Sequence, residues 1–147
     1  MKALNRITLF CLLLAASGCA SVPMSSLSAD KEGKSFVVPP DRSAIYLYRN
    51  ELFGGAMRLT VALDGRLAGQ TAADTYFLWI VKPGEHRLDS MAENASSITI
   101  TTAPGKAYFV WQEIKMGLWT ARTQLHEVDE HTGRQAVNEC SRVASEF

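Results

Sequence analysis

Short runs of strand-forming residues alternate with turn dipeptides from Ser43 to Val128, and this alternation constrains the fold more than any other feature of the chain. Ser43–Arg49 (SAIYLYR) is rich in β-formers and is bounded by Pro40 and by Asn50 with Gly54-Gly55. Met57–Leu63 sets Met57, Leu59, Val61 and Leu63 on one face and Arg58, Thr60 and Ala62 on the other, the period of a half-buried strand. Asp64-Gly65 predicts a two-residue type I′ hairpin returning into Arg66–Gln70, because both central residues of that turn need positive φ. Thr75–Val81 (TYFLWIV) reads as a strand buried on both faces. Pro83-Gly84 and Pro104-Gly105 predict type II turns into Glu85–Ser90 and Ala107–Lys115, with Gly taking the positive φ. Ser97–Thr101 and Trp119–Val128 complete the set. Turn signals about every ten residues between short strands describe a sandwich or a barrel.

The tail changes period. Ala136, Val137, Cys140, Val143, Ala144 and Phe147 fall on one helical stripe, so residues 129–147 predict an amphipathic helix capped at Asp129 or Thr132. Its stripe must be buried, and a sheet face is the available partner. The expected fold is mainly β: a small antiparallel β-sandwich over residues 41–147 with one C-terminal amphipathic helix.

The start of the chain reads as an address. Lys2 and Arg6 precede an apolar run, Ile7–Ala16, too short for the ~20 residues of a spanning helix. Ala16-Ser17-Gly18-Cys19 follows and resembles the lipobox of bacterial lipoproteins, although Ala16 stands where that family usually has Leu. The resemblance implies a signal peptide over residues 1–18, cleavage between Gly18 and Cys19, and covalent lipid on Cys19 as the one attached group. Ala20 differs from the Asp that retains such proteins in the inner membrane, which implies the periplasmic side of the outer membrane. Losing Lys2 and Arg6 leaves the mature chain slightly acidic, so the lipid rather than charge attraction must hold it to the membrane. Residues 19–40 are rich in Ser, Pro, Gly and charge without a sustained period and read as a flexible tether. Gly33-Lys34-Ser35 lacks the earlier Gly and the following helix of a phosphate loop.

Fifteen basic and fifteen acidic residues balance, which leaves no field for a nucleic-acid backbone. Side-chain chemistry is sparse. His86 has no second His or Cys at metal spacing and reads as a hydrogen-bond donor to a neighbouring loop. His126 and His131 lie five apart, not the four of a zinc-protease helix, and Glu127, Asp129 and Glu130 read as a solvated acidic turn. Once Cys11 is removed and Cys19 is capped, Cys140 is the remaining thiol, and its place on the apolar stripe predicts burial. No metal or catalytic residue is expected, and the chain does not read as an enzyme. Aromatic residues are numerous. Most fit core packing, while Tyr46, Tyr48, Trp111 and Trp119 form a candidate binding strip for peptide or glycan.

Tyr46-x-Tyr48-Arg49, Val61-x-Leu63-Asp64-Gly65, Tyr76-Phe77, Pro83-Gly84-x-His86-x-Leu88 and Pro104-Gly105-Lys106-x-Tyr108-Phe109 occur in that order. The set resembles a bacterial domain of unknown function found mostly in tethered envelope lipoproteins, and is similar to PEGA/transthyretin-like β-sandwich repeats. The resemblance implies a small sandwich and no established activity. The expected function is an outer-membrane-anchored, non-catalytic binding or structural module, with an envelope protein or cell-wall glycan as partner. The alternative is an accessory subunit of a secretion or assembly complex. A hydrolase is the remote third.

Overall fold

The computed structural model describes residues 21–51, 53–145 and 147. Among the described residues, nine strands form two sheets stacked as an open sandwich. They are β1 (Ser43–Arg49), β2 (Leu59–Leu63), β3 (Arg66–Thr71), β4 (Thr75–Val81), β5 (Gly84–Met91), β6 (Ala95–Thr102), β7 (Ala107–Met116), β8 (Ala121–Val128) and β9 (Ser141–Arg142). One sheet runs β8-β7-β1-β4-β9 and the other β3-β2-β5-β6. Each strand predicted from the alternation is present within about two residues of its expected ends.

β1 explains why the core has two layers. All seven of its residues are buried, because it lies mid-sheet with both faces covered. Successive side chains point to opposite faces. Ile45 and Leu47 pack between the sheets with Val61, Phe77, Leu88 and Val110. Ala44, Tyr46 and Tyr48 point outward into a second cluster with Tyr76, Phe109, Ala136, Val137 and Cys140, under the C-terminal helix. That helix approaches closely at Gly133, where any Cβ would collide with the Phe109 ring. A buried polar chain also joins the sheets. Gln112 accepts from the Thr71 hydroxyl at 2.6 Å and donates to Ser90 at 2.6 Å, and Ser90 meets Thr123 at 2.8 Å.

The sandwich is not wholly antiparallel. β1 pairs parallel with β7, and β4 parallel with β9. The cause is crossover between sheets: the chain leaves β6 in one sheet and starts β7 in the other, at the end where β1 starts. The three turn dipeptides divide accordingly. Asp64 (φ 51°) and Gly65 (φ 77°) make the predicted hairpin between β2 and β3. Pro104-Gly105 gives Gly105 its positive φ of 71°, but the turn passes between sheets. Pro83-Gly84 is no type II turn. Gly84, at φ 144°, already belongs to β5 and pairs with Thr102, while β4 lies in the other sheet.

Two expectations fail at the ends of the chain. The segment expected to be a flexible tether is folded onto the domain from residue 21 onward. Val22 is buried in the core, Met24 bridges Val143, and Ser26 caps a short helix, α1 (Leu27–Gly33). The Tyr46 and Tyr76 hydroxyls hold it by donating to the carbonyls of Gly33 (2.9 Å) and Asp30 (3.2 Å). The C-terminal helix, α2, spans Glu130–Glu139 rather than 129–147, with Asp129 as its cap. Beyond it the open edge of β4 captures the chain: Ser141 N–H donates to Asp74 and Val143 N–H to Tyr76, both at 2.9 Å. Backbone pairing outweighs the helical stripe there, since an unpaired strand edge leaves its donors and acceptors exposed.

Candidate functional site

α2 crosses the outer face of β1 and β7 and leaves a groove of about 480 Å³ along one flank. Tyr48, Trp111, Val128 and Ala136 supply its apolar surface, and Asn50, Thr132, Gln135 and Glu139 its polar one. Tyr48 and Trp111 meet because β1 and β7 pair in parallel with those two residues in register. The helix supplies the polar side because Thr132, Gln135 and Glu139 recur every three or four residues, along one face. Asn50 Nδ2 lies 3.4 Å from Glu139 Oε2, across the groove's end.

Burial and stacking hold the two aromatic side chains of the groove in place. Burial, then the neighbouring Cys140, Asp129 and Glu139, push the Tyr48 phenol up to about 12, so it stays a neutral donor. Trp111 stacks on His126 with ring centroids 5.2 Å apart. His126 Nε2 in turn meets Glu113 Oε2 at 2.7 Å, which fixes the platform behind the indole. Desolvation works against the Glu113 carboxylate, but hydrogen bonds from His126 and Lys115 outweigh it and hold its pKa below the ordinary value. The Trp111 Nε1 donor is shielded and has no partner among the described residues. A second hollow, about 360 Å³, lies on the other flank of α2, with Arg134 across it. That guanidinium sits 4.7 Å over the Phe36 ring and pairs with Glu130 at 2.6 Å.

The four candidate strip residues do not form one surface. Tyr46 is core, stacked on Phe109 at 4.9 Å. Tyr48 and Trp111 share the groove. Trp119 stands apart at the tip of the β7–β8 hairpin. Cys140 is buried, as expected, and burial pushes its thiol up to about 12. His86 bonds to the neighbouring loop, as expected, through Asp64 and the Lys82 carbonyl, both at 2.7 Å. His126 lies on β8 and His131 on α2. No group of three His, Cys, Asp or Glu is placed to hold a metal among the described residues. Gly18 and Cys19 lie outside the described residues.

Two residues with organising roles escaped the sequence reading. Arg49, fully buried, donates to the carbonyls of Met57 (2.8 Å) and Gly54 (2.6 Å) and so shapes the loop after β1. Glu93 accepts from three successive backbone N–H groups of the β7–β8 turn. The only local signal for Arg49 was a charge ending a strand otherwise made of core residues.

The fold and groove define a class: a small two-sheet sandwich with a helix-covered outer face and an aromatic cleft beside the helix. Within that class the chain belongs to the family described as "Protein of unknown function (DUF2846)", whose model matches residues 39–124. A Haemophilus influenzae relative, described as an uncharacterized protein, is 31% identical over 142 residues, covering 95% of this chain and 84% of the relative. The family match includes Tyr48, Asn50 and Trp111 and ends within β8, before α2 begins.

Proposed function

We propose that the chain is a lipid-anchored protein of the outer membrane's periplasmic face, working as a non-catalytic binding module whose Tyr48–Trp111 groove takes cell-wall glycan. The Ser17-Gly18-Cys19 motif supports the anchor and Ala20 the destination. The ligand class rests on one observation: an indole face beside a groove rimmed by amide, hydroxyl and carboxylate groups. A sugar ring offers C–H groups on its face and hydroxyls at its edge. The former pack on the partly exposed Trp111 indole, and the latter bond to Asn50, Gln135 and Glu139.

Retention on isolated cell-wall sacculi tests this reading. Gln135 is exposed, so Gln135→Ala keeps the melting temperature. Losing one hydrogen bond of about 1 kcal/mol should weaken retention several-fold. Equal retention of the variant and the parent contradicts the groove assignment. A parent that ignores sacculi but crosslinks to one envelope protein in stoichiometric yield favours the accessory-subunit reading instead.

A further inference from the structure

One end of the sandwich carries an apolar projection. β1 finishes there at Arg49, opposite Thr75 at the start of β4, while β7 runs beside β1 and continues to Met116. The loop after β1 and the β7–β8 turn therefore share this end, and Glu51 Oε2 accepts from Ile114 N–H at 2.9 Å between them. Met116, Leu118 and Trp119 are 79%, 86% and 89% exposed at the turn, and Phe53 is 53% exposed on the loop beside it. Exposed apolar residues scattered singly are ordinary, but three within four positions of one turn are a surface.

The turn is held in shape. Glu93 accepts from the N–H groups of Leu118 (3.1 Å), Trp119 (3.0 Å) and Thr120 (3.0 Å). Gly117 N–H donates to Thr120 O at 2.9 Å, and a Cβ at Gly117 would collide with the Glu93 carboxylate. Four backbone donors of the tip are thus already satisfied. An apolar layer rejects unsatisfied backbone donors, so this is the state in which a turn can enter one. Just behind the tip, Lys115 and Arg122 stand directly opposite each other. Lys115 also meets Glu113 at 3.3 Å, so the pair adds a basic edge behind the tip that is already partly balanced.

The chain enters the described fold at this same end. The Ser21 carbonyl accepts from Arg58 at 3.4 Å, and Ser21 lines a pocket with Ala72, Ala73 and Asp74, in the loop leading to β4. Cys19 lies two residues earlier, a reach of at most ~7 Å. Resting on the proposed lipidation of Cys19, we infer that the Met116–Trp119 turn inserts into the bilayer that holds the anchor, so that the domain docks end-on to the membrane. Trp and Leu at the tip then sit at the headgroup level, where an indole is favoured, and the domain gains a second attachment that fixes its orientation.

The full chain, purified from membranes and reconstituted into phosphatidylethanolamine–phosphatidylglycerol vesicles containing brominated phosphatidylcholine, tests this by tryptophan quenching. The chain has three tryptophans, and Trp119 is the exposed one, so bromolipid should remove about a third of the emission. Trp119→Phe should abolish that loss with an unchanged melting temperature. An unquenched parent, or equal quenching of the variant, overturns the inference. The intact mass of the same preparation reports the anchor separately. An acylated, unquenched chain refutes insertion and keeps the anchor. A quenched, unacylated chain keeps insertion and refutes the anchor. A chain neither quenched nor acylated refutes both.

Discussion

His86 places a pH dependence in a single side chain. Its two ring nitrogens face only acceptors, Asp64 Oδ2 and the Lys82 carbonyl, so the doubly protonated ring satisfies both. Burial lowers its pKa, but the hydrogen bonds from the ring to Asp64 and Lys82 and the Asp64 charge outweigh that, leaving it above the ordinary value. A raised folded pKa means stability that is complete below the unfolded value of about 6.5 and lost as pH rises through the folded one. The melting temperature should therefore fall as pH rises above about 6.5 and through the raised folded value, and His86→Phe should lose most of that fall. A parent and variant with parallel profiles would contradict the assignment. The role of His86 was legible because the turn before it and its lack of a metal-spaced neighbour left a loop contact as its natural use. Cys140 was legible from its apolar neighbours. Arg49 and Glu93 were not, since their partners are backbone carbonyls and N–H groups, which carry no residue-type signal.

Single elements differ in how much their local chemistry decides. Asp64-Gly65 decides its own hairpin, and space around Gly65 is open, so only backbone strain opposes a larger side chain there. Gly65→Val should cost about 1–3 kcal/mol and lower the melting temperature by several degrees, while Gly65→Asn, tolerant of positive φ, should lose less. Two variants that melt together with the parent would refute a strain-limited turn. Pro83-Gly84 has equally strong turn residues, yet the strands it links belong to different sheets, and no dipeptide encodes which sheet a strand joins. The same limit applies at both ends of the chain. The helical stripe reaching Phe147 loses after Cys140 to the open edge of β4, and α1 is held by tyrosine hydroxyls that grip its carbonyls. A polar helix docked through its backbone looks, in sequence, like a linker.

The whole molecule is polarised between two ends. One carries Asp64-Gly65, the His86 contact and Pro104-Gly105. The other gathers the start of the fold at Ser21, the loop organised by Arg49 and the apolar turn braced by Glu93. The alternation of strands and turns revealed the sandwich, and the order of its motifs pointed to a domain of unknown function, but the groove was only half legible. Tyr48 and Trp111 were picked out as aromatic residues, whereas their meeting depends on a parallel pairing made by crossover between sheets. Thr132, Gln135 and Glu139 join them only because α2 lies over β1 and β7. The proposed function joins the groove to an anchor on Cys19, and the inferred insertion of the apolar turn rests on the same anchor. Metabolic labelling with radioactive palmitate, comparing the parent with Cys19→Ala, tests it most directly. The account predicts label on the parent and none on the variant; an unlabelled parent, or equal label on both, would contradict it.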